Sequence, residues 1–547
     1  MWLKTSLILL FHFVLCHGSK EFRLGRSKNG NLGVPGEYSG EKVPPAQWFK
    51  QKLDHFSPTD LRSWKQRYYI NDSFYDYKNP GPIFLMIGGE GPADPRWMVK
   101  GAWIDYAKKF NALCINLEHR YYGASHPTED LSTKNLQYLS SAQALADLAN
   151  FITAMNDKLK LNHEVKWVAF GGSYPGSLAA WLRMKYPHLV HASVSSSGPL
   201  LAKVNFMEYF EVVVNALREK TGSEDCVNQL RNAHTQIEGL IKTQPEEIEN
   251  EFRTCMPFSK ATENDMKNFF NSIADDFADL VQYNEDNRIS ADTKYRNITI
   301  NSVCKLLTEP GDEAPYKRLA AFNSIMLNKS NQTCLDYSYN NMINDLRNTS
   351  LSSEGGRQWM YQTCTEFGFY QTSSGEVNIF GDHFKLDFFV QQCQDVFVTQ
   401  RNTSLSSEGG RQWMYQTCTE FGFYQTSSGE VNIFGDHFKL DFFVQQCQDV
   451  FGKKFNKEFI ENAAEWSNSY YGGLDIAVDR VVFVHGSVDP WHALGITTTK
   501  DNNAPAIYIH GTAHCANMYP ASENDLPQLT EARVEIQQYL DTWLSQP

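Results

Sequence analysis

The stretch Trp167–Pro187, WVAFGGSYPGSLAAWLRMKYP, limits the possible folds more than any other. A short apolar run stops at Gly171-Gly172, Ser173 follows, and the chain then reads at once as an apolar helix. A buried strand that turns this sharply into a helix belongs to an α/β layer structure. The surrounding sequence repeats the alternation. PIFLMIGGEGP and NALCINLEHRYYG read as buried strands ending in turns, and SSAQALADLANFITAM places Leu145, Leu148, Ile152 and Met155 at helical spacing. HASVSSSGPL is a further strand that runs into a turn. From about Trp48 to Leu201, then, the chain predicts a largely parallel sheet with helices on its faces.

Near Lys203 the pattern changes. From there to about Trp466 the sequence is helical in character and holds most of the cysteines. Strand-and-loop alternation returns at RVVFVHGSVDPWHAL and APAIYIHGTAHCANM, followed by a helix over Leu526–Leu544. One α/β domain in two parts, residues 45–202 and 467–547, interrupted by a helical insert over 203–466, is the simplest organisation. The insert is expected to cap the carboxyl ends of the strands, where open α/β sheets bind ligands.

Ser173 has the setting of a nucleophile elbow: a serine at a tight strand-to-helix turn, held out at the top of a sheet. The helix start favours developing negative charge, and the backbone N–H of the next residue, Tyr174, can donate into an oxyanion hole. A Gly-Gly-Ser turn with Ser173 as a simple N-cap is the plainer alternative. A nucleophilic serine needs a base, and the base an orienting acid. VVFVHGSVDPWHAL delivers Asp489 at a strand end, and the loop after AIYIHG carries His514, with room between them for one crossover helix. His510 is a rival base that still belongs to the strand, and His492 follows Asp489 too closely. The order Ser173, Asp489, His514 is that of α/β-hydrolases. The loop IGGEGPAD supplies the second oxyanion donor, Gly89 or Glu90. LEHRYYGAS, Leu117–Ser125, is expected to hold a buried ion pair that props the site, without a catalytic role.

QKLDHF, IGGEGP, LEHRYYGAS, FGGSYPGSLAAWLRMKYP, WMYQTCTEFGFYQ, GSVDPW and GTAHCANM, taken in order, resemble one serine peptidase family. It contains lysosomal prolyl carboxypeptidase, dipeptidyl peptidase II and thymus-specific serine protease, the last being the nearest likeness. The resemblance covers most of the chain after about Val43. It implies an α/β-hydrolase fold with a large helical cap, a charge relay of Ser173, Asp489 and His514, peptide substrates, and in some members a taste for proline beside the scissile bond. An esterase or lipase, or a binding protein on a hydrolase scaffold, are the competing functions.

Composition narrows the setting. The chain has 547 residues with 63 Asp+Glu against 50 Lys+Arg and no basic run, so a nucleic-acid partner is not expected. MWLKTSLILLFHFVLCHG, residues 1–18, reads as a cleaved secretory signal, too short to span a bilayer, and no membrane anchor follows. Sequons at Asn71, Asn297, Asn328, Asn331, Asn348 and Asn402 fit a secreted or lysosomal glycoprotein. Ten of the 11 cysteines remain after the signal, none as C-x-x-C, which favours disulfides over a metal or redox site. No metal and no cofactor is expected; oligomeric state is not legible.

Inside the insert, RNTSLSSEGGRQWMYQTCTEFGFYQTSSGEVNIFGDHFKLDFFVQQCQDVF occurs twice without a change, at 347–397 and 401–451. Structural repeats diverge and come in three or more units, so this is not a repeat architecture. One cap cannot bury the same aromatic surface twice, and a spare copy exposes apolar patches. An exon or gene-model duplication is the expectation. Trypsin cleavage after Lys385 and Arg401 releases LDFFVQQCQDVFVTQR, which only a translated duplication contains, whereas the second copy gives LDFFVQQCQDVFGK. Digests of the native protein are expected to contain the second peptide alone; the first at similar abundance would establish a real tandem.

Overall fold

The computed structural model describes residues 32–36, 40, 42–161, 164–203, 206–285, 297–351, 356–362, 374–375, 427–429 and 457–547. The signal segment, Asn402 and most of both duplicated copies lie outside them. An eight-stranded sheet organises the molecule, formed by β1 (Gln47–Lys52), β2 (Ser63–Asn71), β3 (Ile83–Ile87), β4 (Leu113–Leu117), β5 (Trp167–Gly172), β6 (Ala192–Ser196), β7 (Val481–Gly486) and β8 (Ala506–Ile509). The order across the sheet is β1-β2-β4-β3-β5-β6-β7-β8. Strands β3 to β8 pair in parallel, while β1 and β2 form an antiparallel edge that joins the sheet at β4. This is the α/β-hydrolase arrangement.

Strand side chains alternate between two cores, as the pleat requires. Ile83, Leu85, Ile87, Ala169, Val481 and Phe483 face one side, where α2 (Ser141–Leu159) and α3 (Tyr174–Lys185) pack. Phe84, Met86, Val168, Phe170, Val482 and Val484 face the other, against α1 (Ala102–Phe110) and the C-terminal helix Pro527–Ser545. Strands buried on both faces explain the continuous apolar runs in the sequence. Among the described residues between β6 and β7, helices predominate, including α4 (Glu208–Thr221), α5 (Asp225–Thr243) and α6 (Glu263–Gln282). Thr262 opens α6 with a capping box to Asp265. These helices continue the first core without a break, through Phe206, Tyr209, Phe277 and Leu327. Disulfides Cys226–Cys304 and Cys255–Cys334 cross-link them, and Cys114 and Cys515 are buried free thiols. Ser374–Gly375 and Ser427–Gly429, equivalent points of the two copies, pair with each other in parallel.

The structure departs from the sequence reading between Asp489 and His514. No crossover α-helix lies there; the chain makes a 3-10 turn, Pro490–Leu494, and then a loop. Thr497, Thr498, Thr499, Asp501, Asn502 and Asn503 favour turns over helix, and Gly495 is pressed against the ring of His485.

Candidate active site

The strand ends of β5, β6, β7 and β8 bring the predicted residues to one place. Ser173 caps α3 with φ +66° and ψ −136°, a left-handed backbone that a serine adopts at a cost of about 1–3 kcal/mol. Its N–H is held by the carbonyl of Ser196 at the end of β6, 2.9 Å away. Asp489 follows β7 and caps the 3-10 turn, its Oδ1 accepting the Trp491 N–H at 3.1 Å. The same oxygen lies 2.9 Å from Nδ1 of His514 in the loop after β8. Ser173, Asp489 and His514 are all buried.

Two contacts register the Asp489–His514 pair against the elbow. Ser197, just past β6, hydrogen-bonds Asp489 and accepts the Cys515 N–H at 2.9 Å. The Cys515 sulfur in turn sits against the elbow, 3.0 Å from where a Cβ on Gly172 would stand, so any side chain at 172 would displace it. The residues adjoining Ser173 and His514 are thus in contact, and both are tied to Ser196–Ser197. His510 lies on the surface, with its backbone N–H on Gln528 and its ring against Tyr508. His492 turns its Nδ1 to the Asp489 carbonyl, 2.7 Å away.

The electrostatics suit a base paired with an acid. Burial disfavours a charged ring on His514, but the Asp489 carboxylate outweighs it and holds the imidazole well above its ordinary range. Burial likewise opposes the Asp489 charge, and His514 and Ser197 overcome it, keeping that carboxyl below its usual value. Nδ1 is the donor to Asp489, which fixes the tautomer and leaves Nε2 as the ring's proton acceptor.

Gly89 packs against the elbow, with Pro175 Cγ 2.4 Å from the position of an added Cβ. Glu90 is buried in the same loop. Gly88–Asp94, Trp97, Asn116 and Pro175, with Leu32 and Gly33, line a small cavity there of about 40 Å3. Trp97 Nε1 donates to the Gly33 carbonyl at 3.1 Å. LEHRYYGAS contributes to two ion pairs, one fully buried and one with a partly exposed arginine. Glu118 pairs with Arg67 and also accepts from Ala93 N and Ala124 N, each at 3.0 Å, which braces the Gly89 loop. Arg120 makes a two-pronged contact with Asp147, at 2.6 and 2.7 Å.

Sequence reasoning missed the contribution of the helical region. The Gln282 carbonyl, at the end of α6, accepts the His514 N–H at 3.1 Å. The Gln282 side-chain oxygen accepts from Trp491 Nε1 at 3.0 Å and Tyr209 Oη at 2.7 Å. The ring of Tyr283 meets His514 edge-on at 6.3 Å. No local pattern marks these residues, since the contacts to Trp491 and His514 span more than 200 positions. Of the sequons, Asn297, Asn328 and Asn331 are exposed and Asn348 is half-buried. Asn71 is buried, and its Nδ2 donates to the Met98 carbonyl at 2.7 Å. A glycan on that nitrogen would replace one of its two hydrogens and need room that the packing around Asn71 does not offer, which counts against Asn71 as an acceptor. Among the described residues no group of His, Cys, Asp and Glu could hold a metal, and no helix is long and apolar enough to cross a membrane.

A sheet of this order with a serine elbow beside an Asp–His pair defines a serine hydrolase of the α/β type. The chain belongs to the serine carboxypeptidase S28 family, which it matches over residues 51–408 and 398–536, two ranges that overlap inside the doubled region. It is 34% identical over 513 residues to thymus-specific serine protease of Mus musculus, covering 92% of this chain and 88% of the relative. The Homo sapiens protein of that name is 31% identical over 559 residues, covering 99% of this chain and 96% of the relative. Lysosomal Pro-X carboxypeptidase of Mus musculus is 26% identical over 509 residues, covering 91% of this chain and 88% of the relative. The chain is accordingly a serine peptidase, as its motifs lead one to expect.

Proposed function

We propose that the protein hydrolyses peptide bonds through an acyl-enzyme on Ser173, with His514 as base and Asp489 as its orienting acid. The Asp489–His514 pair, registered on the elbow through Ser197 and Cys515, carries this reading. Ser173 Oγ attacks the scissile carbonyl and gives its proton to His514 Nε2. The oxyanion is received by the N–H of Tyr174 and an N–H of the Gly89–Glu90 loop. His514 then protonates the departing amine, the C–N bond breaks, and water repeats the sequence to release the acid.

Substrates are short peptides cleaved near an end. Ser173 is only 2% exposed and the Gln282–Tyr283 end of α6 stands over His514, a setting that favours a chain terminus over a folded protein surface. Residues 203–466 act as the cap. The Pro-X carboxypeptidase relatives make proline-containing peptides the first to try. The compartment is the secretory route, ending outside the cell or in the lysosome, with residues 1–18 removed and Asn297, Asn328, Asn331, Asn348 and Asn402 as glycan acceptors.

A fluorophosphonate probe is expected to label the purified protein on the peptide bearing Ser173, and Ser173→Ala to abolish labelling while leaving the thermal melt in place. A mutant labelled as well as the parent overturns the assignment. Mass spectrometry of a peptide library then gives the cleavage position; scattered internal cuts in folded substrates would refute end-cleavage.

A further inference from the structure

LEHRYYGAS holds more than ion pairs. His119, between Glu118 and Arg120, is buried and belongs to neither. Its Nδ1 lies 2.7 Å from the Arg120 carbonyl and its Nε2 lies 3.1 Å from Tyr174 Oη. A carbonyl oxygen can only accept, so Nδ1 carries the hydrogen. Nε2 is then a bare lone pair and accepts from the Tyr174 hydroxyl. The hydroxyl oxygen keeps room to accept from Ser141 Oγ, 2.9 Å away at the start of α2. The ring is neutral, since burial pushes its pKa down to about 4 against the Arg120 carbonyl bond.

Tyr174 is the residue after the elbow serine. Its N–H sits in the first turn of α3, directly after the elbow serine. The carbonyl end of the Ser173–Tyr174 peptide is fixed, because Ser173 O accepts the Gly176 N–H at 2.7 Å. The Tyr174 end is fixed by its side chain, whose phenol is clamped between His119 and Ser141. An oxyanion donor is effective only when its direction is set before charge develops.

We propose that His119 is a positioning residue for acyl transfer: through the Tyr174 phenol it fixes the direction of the Tyr174 N–H that receives the oxyanion. The proposal rests on the reading of Ser173 as nucleophile, and it assigns to the LEHRYYGAS motif a role in turnover as well as in packing.

The test uses the full chain with His119→Phe, His119→Gln, Tyr174→Phe and the double variant His119→Phe/Tyr174→Phe. kcat and KM are measured on one good peptide, and the rate of fluorophosphonate labelling and the thermal melt are taken in parallel. His119→Phe keeps ring bulk and removes the acceptor; loss of one such hydrogen bond corresponds to roughly a tenfold fall in kcat. KM is expected to stay within about twofold, because the interaction acts on the transition state. Tyr174→Phe is expected to lose a similar factor, the double variant to lose no more than either, and His119→Gln, which retains an acceptor, to recover most of the rate. Labelling should slow in step with kcat. Additive losses, a change confined to KM, or kcat at the parent value in a folded His119→Phe overturns the proposal. If His119→Phe fails to fold, Tyr174→Phe, which deletes one oxygen atom, decides alone. Absence of labelling at Ser173 in the parent would refute the nucleophile assignment instead, so the two failures are distinguishable.

Discussion

His514→Ala is expected to lower kcat/KM by about four orders of magnitude or more, the usual loss on removing a member of such a relay, and His510→Ala to leave it within about twofold. The two histidines lie four positions apart on one segment, yet His514 is buried against Asp489 and His510 is on the surface. Steady-state assays of the two variants check the pair; a greater loss from His510→Ala overturns the assignment. The pH dependence has a definite sign. The base acts in its neutral form, and Asp489 raises the His514 pKa above about 6.5. Activity is therefore full above the raised value and lost as pH falls through it. Asp489→Asn removes the charge that raises it. Its residual activity, lower by about four orders of magnitude, should fall away at more acidic pH than the parent's. An acid limb that moves to higher pH would contradict the electrostatics of the pair.

Asp147→Ala is expected to destabilise the fold by about 3–5 kcal/mol, the effect of removing one partner from a buried ion pair. Arg120 is fully buried, and Asp147 takes two of its N–H groups as well as His55 Nε2 at 2.7 Å. Without Asp147 the guanidinium keeps, among the described residues, the carbonyls of Leu53, Tyr138 and Lys52, at 3.1, 2.7 and 3.5 Å, and its charge is uncompensated. The midpoint of urea unfolding reports the change. A shift no larger than that of an exposed aspartate variant would mean that water reaches the pair. The His119 backbone lies beside this contact, so Asp147→Ala should also slow turnover in the fraction that remains folded.

What the sequence disclosed follows from the range of the interactions. Strands β3, β4, β5 and β7 are apolar runs buried on both faces, and each candidate catalytic residue stands within a few positions of a parallel strand's end. Ser173, Asp489 and His514 could be put forward because strand, turn and residue are neighbours in the chain. The antiparallel edge strand β1 was less legible, since its alternating QWFKQK pattern is short and polar. Ser197, Gln282 and Tyr283 were invisible for another reason: they reach the site through contacts between distant segments, and Gln282 is an ordinary helix-ending residue by sequence. Asn71 shows the converse. Its sequon is a local pattern, while its burial under the Met98 carbonyl is a tertiary fact. No helix forms between Asp489 and His514, because the threonines and asparagines of that segment favour turns.

The carbonyl of Gln282 holds the amide of His514, and its side chain holds the indole of Trp491 two residues past Asp489. The sheet therefore does not own its acid and base outright. Trimming residues 203–466 to obtain a minimal hydrolase would leave the His514 loop without its backbone acceptor and expose Trp491. Transplanting the Ser173 elbow and the two later loops onto a relative with a different helical region would fail for the same reason. Engineering of this protein has to carry the end of α6 along with the strands, and variation in the helices can shift the His514 loop without touching Ser173, Asp489 or His514.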